Sequence, residues 1–389
     1  MIRHFMAASA LAAWGKLLFG HGRFWRTGER LAPGAGTTGL KPGEKIWPDV
    51  AIVVPARDEA ESIQACVATL VQQDYQGKLS VIVVDDGSTD GTGDLARQVA
   101  DPHKRLTVLT GKARPEGWSG KLWAVHQGEC LAREKIDANG FVLLTDADIL
   151  HSALHLETLV EKAERDGLDM VSEMVVLNCE SAAERLLVPA FVYFFAMLYP
   201  FEKVNDPASP VAGAAGGTIL VRRSMLERIG GVESVRGALI DDCSLAADIK
   251  KAGGKLYLGH SMLAWSIRPY RGAGDIWRMI ARTAYVQLRY SPIILLCTVL
   301  GMTLVWLAPV YFALFGRGRV RVMGGASLLL AVISFLPTLS RFKLSPVRAL
   351  ALPVVAAFYM AATLGSAVDH HRGRGVQWKS RFYTEETHA

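Results

Sequence analysis

The chain has 389 residues, more than the roughly 250 to 300 that one hydrophobic core usually supports, so a folded domain joined to a second region is expected. Half of the residues are hydrophobic and the mean hydropathy is +0.22, which argues against an ordinary, wholly soluble chain. The net charge of +6 gathers beside apolar stretches instead of forming one basic stripe, which points to anionic lipid and away from nucleic acid.

The first apolar run, FMAASALAAWGKLLFG, is broken by Lys16 and lacks a small-residue cleavage site before GHGRFWR. Residues 1 to 22 are therefore expected to be a retained membrane anchor or an interfacial helix, not a secretory signal. Arg23, Arg26 and Arg30 follow it, against Arg3 before it, which puts the next domain on the cytoplasmic side. Residues 23 to 48, rich in Gly and Pro, read as a linker.

From residue 49 to about 270 strand-like and helix-like segments alternate: VAIVVPA, a helix from about Glu59, SVIVVDD, a helix from about Thr92, RLTVLTG, a helix from about Gly120, and GFVLLTDAD. That rhythm predicts an α/β domain, a mostly parallel sheet with helices on both faces. In such sheets ligands bind beyond the carboxyl ends of the strands, where PARDE, DDGS and DAD fall. A further helix is expected from about Ser152, with His151 and His155 on one face; no third ligand accompanies them, so they do not read as a metal pair. VPAFVYFFAMLYPF is too short to span a bilayer and is either core or a surface for an apolar acceptor.

DIWRMIARTAYVQLRYSP, within residues 271 to 291, reads as a basic amphipathic helix at a membrane surface, with Trp277, Tyr285 and Tyr290 at headgroup level. Residues 292 to 369 hold two or three transmembrane helices. PIILLCTVLGMTLVWLAPVYFALFG is the firmest, VMGGASLLLAVISFLPTL is short, and ALALPVVAAFYMAATLGSAV is about spanning length. Three full crossings would put the basic tail, 370 to 389, opposite the first domain; a tail on the same side needs one re-entrant stretch, for which the second is the natural choice. All flanks are basic, so charge does not decide the order.

Two acidic clusters carry the chemistry. Val81 to Val84 form a buried strand that runs into Asp85 and Asp86, and Phe141 to Leu144 run into Asp146 and Asp148. Paired carboxylates are costly unless cations or hydrogen-bond donors meet them. Magnesium and manganese prefer oxygen ligands, often one or two carboxylates together with substrate phosphates, so this pattern fits a nucleotide diphosphate bridged by a divalent cation. Other phosphate motifs fail: PEGWSGKL lacks the first glycine and final Ser or Thr of a P-loop, GTGDLA starts too far beyond its strand, and GAAGGT is too loose. The five cysteines, Cys66, Cys130, Cys179, Cys243 and Cys297, are far apart and include no C-x-x-C pair, which argues against zinc and disulfides.

VVPARDE followed by the two clusters resembles the inverting glycosyltransferases of family two, whose nucleotide-sugar domain has the GT-A fold. The resemblance implies that Pro55, Ala56 and Glu59, with Asp85 and Asp86, line the nucleoside pocket, where carboxylates accept hydrogen bonds from base and ribose. It implies that Asp148 binds the metal, with Asp146 beside it supporting metal and nucleotide. Lys121 is either a nucleotide contact or a solvated helix lysine. The acidic pair Asp241 and Asp242, opening a helix, supplies the general base at Asp242. The Q-x-x-R-W sequence of processive members is missing, which argues against polymer synthesis; Arg278 or Arg282 is left either to neutralise the departing diphosphate or to contact lipid.

HGRFW, GWSGKLWAVHQG, the three apolar segments and GVQWKSRFY resemble, more narrowly, the hopanoid-biosynthesis-associated glycosyltransferases of bacteria, and more distantly ceramide and carotenoid glycosyltransferases. This implies a multi-pass protein of the bacterial inner membrane with its catalytic domain cytoplasmic. The donor would be a nucleotide-diphosphate sugar, such as a UDP-sugar, and the acceptor a lipid. The competing readings are a nucleotidyltransferase of similar fold, which would not need Asp242, and a non-catalytic scaffold or transporter, which the few intramembrane charges weaken.

Overall fold

A computed structural model describes residues 1–31, 47–373, 376–378 and 381–383, the last two for their backbone alone. Most of the expected linker and much of the tail lie outside the described residues. The chain divides into a helical unit, 1–28, 179–202 and 269–376, and a sheet unit built mainly from 29–178 and 203–268.

After α1 (Ile2–Gly20), the chain forms β1 (Val50–Ala56), α2 (Ile63–Val71), β2 (Leu79–Asp85), α3 (Thr92–Arg97), β3 (Leu106–Thr110) and α4 (Gly120–Lys135). β4 (Phe141–Thr145), β5 (Ile149–His151), α5 (His155–Asp166), β6 (Met170–Val176), α6 (Ala182–Leu198) and α7 (Phe201–Asn205) follow. β7 (Thr218–Arg222), α8 (Arg223–Arg228), α9 (Asp241–Lys251) and β8 (Leu256–Ser266) complete the sheet unit.

The strand order is β3-β2-β1-β4-β7-β6-β8-β5. β3, β2, β1 and β4 are parallel, β7 runs antiparallel between β4 and β6, β6 and β8 are parallel again, and β5 closes the edge antiparallel to β8. The sheet is thus mixed, and its parallel half aligns the carboxyl ends of β1, β2 and β4. All seven residues of β1 are buried, as are six of the seven in β2, because helices cover both faces. Ile52, Val54, Val81 and Val83 pack with Ile63, Leu70, Leu156 and Leu159 of α2 and α5.

Two local differences from the sequence reading have clear causes. α2 starts at Ile63, not Glu59, because the N–H groups of Asp58, Glu59 and Ala60 donate to Ser88 Oγ, Thr92 Oγ1 and Asp90 Oδ2. Those donors serve the loop after β2 and leave the segment a turn. His151 is not helical: it ends β5, paired with Ala264 of β8, and α5 begins only at His155.

In the helical unit lie α10 (Ala273–Gln287), α11 (Pro292–Phe315), α12 (Arg319–Arg341) and, after a 3-10 turn (Pro346–Ala351), α13 (Leu352–His371). Three helices are long and apolar enough to cross a membrane: Pro292–Phe315, Arg319–Arg341 and Pro346–His371, with mean hydropathies of 2.4, 2.0 and 1.7. The second, 23 residues against 24 and 26, is nearly as long as its neighbours, since the helix continues into basic residues at both ends. α11 carries a π-helical turn, Thr303–Leu307. Pro309 has no N–H to give to the carbonyl of Val305, four residues earlier, and the Trp14 indole of α1 donates to that oxygen at 3.0 Å instead.

Aromatic residues of α10 pack against the apolar helices. Tyr285 is buried, Trp277 lies edge-on to Phe358 at 5.5 Å, and the Ser366 hydroxyl accepts from Tyr285 N–H. VPAFVYFFAMLYPF falls largely in α6, where Val188, Val192, Tyr193 and Ala196 are core.

Candidate active site

The site is assembled from strand ends and one helix start. β1 delivers Pro55 and Ala56, then Arg57, Asp58 and Glu59; β2 delivers Asp85 and Asp86; β4 delivers Thr145, Asp146 and Asp148; α9 opens with Asp241 and Asp242. Lys121, in the first turn of α4, joins residues far apart in the chain. Its Nζ lies 3.0 Å from Asp146 and 3.2 Å from Asp241. Pro55, Lys121, Thr145, Asp146, Asp241 and Asp242 share one cavity of ≈ 30 Å³, floored by Leu122, Ile219 and Leu245.

A second cation completes the other wall. Arg268, just beyond β8, reaches Asp148 Oδ2 with Nε at 2.6 Å and Glu59 Oε1 with a terminal nitrogen at 2.7 Å. Ser266 Oγ also donates to Asp148, at 3.4 Å. Asp86 is buried and pairs with Arg57 at 3.6 Å. Asp85 accepts from the Ser88 N–H at 3.0 Å and its other oxygen faces Gly93, so its carboxylate shapes the loop after β2.

The charges act on one another. Burial and the adjacent Asp241 push the Asp242 carboxyl up to about 6, against the opposing pull of Lys121. Burial also raises Asp146, with Lys121 again opposing. Burial disfavours the Lys121 ammonium, yet Asp146, Asp241 and Asp242 outweigh it and hold the group above the ordinary lysine range. Lys121 is therefore a charged member of the site and not a solvated helix lysine.

Arg268 was not visible in the sequence; the one signal was its place just past the carboxyl end of a strand. The loop before β7, dismissed above as GAAGGT, lies against the acidic pair: a Cβ on Gly216 would stand 3.2 Å from Asp242 Oδ2. A side chain there would press on the Asp242 carboxylate and oblige it to shift by a few tenths of an ångström. Arg278 pairs with Asp275 and Arg282 is exposed; both belong to the helical unit.

No group of three or more His, Cys, Asp and Glu converges as a metal cage among the described residues. The donor set nevertheless suits a divalent cation held in part by ligand phosphates, because Asp146 and Asp148 present hard carboxylate oxygens two residues apart.

A half-parallel sheet with carboxylates and cations gathered past β1, β2 and β4 is the GT-A arrangement of nucleotide-sugar transferases. The chain belongs to the glycosyl transferase family group 2, whose model matches residues 141–365, and the model of glycosyl transferase family 2 matches residues 51–230. The chain is 29% identical over 142 residues to glycosyltransferase AglE of Haloferax volcanii, which is 36% of this chain and 44% of that protein. It is 24% identical over 260 residues to the probable glycosyltransferase YdaM of Bacillus subtilis, 65% of this chain and 57% of the relative. The chain thus spans about half the length of these curated relatives. Among solved structures, the mannosyltransferase PcManGT from Pyrobaculum calidifontis, in complex with GDP-Man and Mn2+, superposes with a TM-score of 0.53 at 20% identity, over 94% of this chain and 99% of that one.

Proposed function

We propose that the protein is a membrane-associated, inverting glycosyltransferase that moves one sugar from a nucleotide-diphosphate donor to a lipid acceptor, a hopanoid being the acceptor its sequence resemblance favours. The supporting observation is Lys121, which gathers the acidic end of β4 and the acidic start of α9 around one cavity. Donor and acceptor chemistry need those two groups side by side.

In this reading Pro55, Ala56, Glu59, Asp85 and Asp86 frame the nucleoside, and Asp146 and Asp148 take a magnesium or manganese ion that arrives with the donor's phosphates. When bound, that ion supplies positive charge to the diphosphate leaving group. Asp242 accepts the proton of the acceptor hydroxyl, whose oxygen bonds to the anomeric carbon from the face opposite the diphosphate. The bond from the anomeric carbon to the diphosphate oxygen breaks, and Lys121 offers that oxygen a fixed cation. The three apolar helices hold the enzyme in the bacterial inner membrane with the sheet unit cytoplasmic, which gives the site access to lipid hydroxyls.

The test is transfer by the detergent-solubilised protein from a panel of nucleotide sugars to a bacterial lipid extract, with products read by mass. Asp242→Asn is expected to bind nucleotide diphosphate and manganese as the wild type does while transfer falls by at least a hundredfold. Undiminished transfer would remove the base, and no glycolipid from any donor would remove the lipid acceptor.

A further inference from the structure

From Thr145 at the cavity wall, a chain of buried polar groups leads away into the sheet. Thr145 Oγ1 lies 2.8 Å from the carbonyl oxygen of Gly217 and 3.0 Å from His151 Nε2. His151 Nδ1 lies 2.8 Å from His155 Nδ1, and His155 Nε2 lies 3.0 Å from Glu173 Oε2. All four side chains are at most 3% exposed. None has a place in the transfer chemistry, and four polar groups so deep in a core are costly unless every contact holds a proton.

The allocation of protons follows from the atoms. The Gly217 carbonyl can only accept, so the single Thr145 hydroxyl proton goes to it. His151 Nε2 must then donate to Thr145 Oγ1. Burial and the neighbouring His155 hold the His151 pKa well below its ordinary value, so the ring is neutral and its Nδ1 accepts. His155 Nδ1 therefore carries hydrogen, and one proton lies between His155 Nε2 and Glu173 Oε2. The links from His155 through His151 and Thr145 to Gly217 all point the same way.

Both outer ends matter to the site. Thr145 immediately precedes Asp146, and Gly217 follows Gly216, which lies against Asp242. Ser172, the neighbour of Glu173 on β6, grips the same loop by exchanging hydrogen bonds with Ala215 at 2.9 and 3.1 Å. We propose that Thr145, His151, His155 and Glu173 are positioning residues for donor binding: their oriented hydrogen-bond chain fixes the end of β4 to the loop before β7, and so sets the spacing between Asp146 and Asp242. The proposal rests on the donor-site reading above.

The experiment compares the affinity of uridine and guanosine diphosphates for the full-length protein by calorimetry, with and without manganese, in Thr145→Ser and Thr145→Val. Val keeps the shape of Thr without its hydroxyl, whereas Ser keeps the hydroxyl and loses the methyl. A hydrogen-bonded positioner predicts that T145S binds the manganese–nucleotide pair about tenfold more tightly than T145V. The opposite ranking, or equality, marks a packing role and overturns the proposal. Glu173→Gln, whose amide can donate to His155 Nε2 and keep the order of the chain, is expected to exceed Glu173→Leu by a similar factor. Should the Thr145 variants fail to fold, nitrogen NMR of ring-labelled histidine in the wild type reads the allocation directly: hydrogen on His151 Nε2 and none on its Nδ1 supports the chain, and the reverse tautomer overturns it. If wild type binds neither nucleotide, the donor-site reading fails and the NMR result still judges the chain.

Discussion

At the scale of single residues, the site sets Asp146, Asp148, Asp241, Asp242 and Glu59 against Lys121 and Arg268. Burial beside Asp241 raises Asp242 to about 6, and Lys121 and the Cys243 N–H hold it from rising further. A general base works only when ionised, so kcat/KM is expected to climb as pH rises through about 6 and then level off. Asp241→Asn removes the repulsion that favours the protonated form, so the inflection should move to lower pH. The pH profile of transfer checks this, and an inflection that stays fixed in the Asn variant would separate Asp241 from Asp242 electrostatically. In the folding equilibrium the sign is the reverse of the usual carboxylate: a folded-state pKa above the ordinary value costs stability as pH rises through that range.

The same scale shows which residues could be read in advance. Asp146, Asp148, Asp241 and Asp242 drew attention because each follows a recognisable strand or opens a helix; a helix start alone would also favour Asp241 and Asp242, so it is their meeting with Lys121 that the sequence did not show. Arg268 was not legible, because its partners Asp148 and Glu59 stand 120 and 209 positions away, and no local pattern encodes such a pairing. His151 misled for another reason. A spacing of four to His155 is the helical period, yet the two rings meet across a strand end and a helix start, and the contact does not need a common helix.

At the scale of elements, legibility followed burial. β1 and β2 were plain because a strand covered on both faces is a nearly unbroken apolar run. The start of α2 was obscured by donors from another loop, since Ser88, Asp90 and Thr92 capture the N–H groups that a helix would have left for water. The reversal of β7 was also hidden, because TILVR reads the same in either direction. The contact between α1 and α11 gives an element-level prediction. Trp14→Phe keeps most of the ring packing but leaves the Val305 carbonyl without its donor, at a cost of about 1 to 3 kcal/mol. Pro309→Ala restores an N–H within reach of that carbonyl, so the loss should shrink in the double variant. Thermal unfolding of the four proteins in detergent forms the cycle, and additive losses would mean that the indole proton serves no purpose there.

At the scale of the whole molecule, the direction of the apolar helices bears on how the chain meets a membrane. The last turn of α13 lies beside the turn that precedes α11: Tyr285 Oη stands 3.4 Å from His371 Nε2, and Tyr290 stacks on His370 at 4.4 Å. Midway along, Thr303 of α11 meets Met360 of α13 at 3.8 Å, so these two helices run antiparallel side by side. α12 starts beside the end of α11, with Arg321 donating to the Ala313 carbonyl at 3.1 Å. With the start of α11 and the end of α13 side by side, three alternating full crossings are not compatible with this arrangement. Were α11 and α13 both to cross a bilayer in this arrangement, the number of complete crossings would be even, with residues 289 and 372 on one side and residue 317 on the other. Single cysteines at these three positions, in a background freed of the native five, can be labelled in sealed vesicles with an impermeant maleimide. Arg289→Cys and Arg372→Cys are expected to label together and Arg317→Cys only after the vesicles are opened, or the converse in inverted vesicles. Labelling of 289 and 372 from opposite sides would require α13 to turn around, and with it the stacking of Tyr290 on His370 would have to be abandoned.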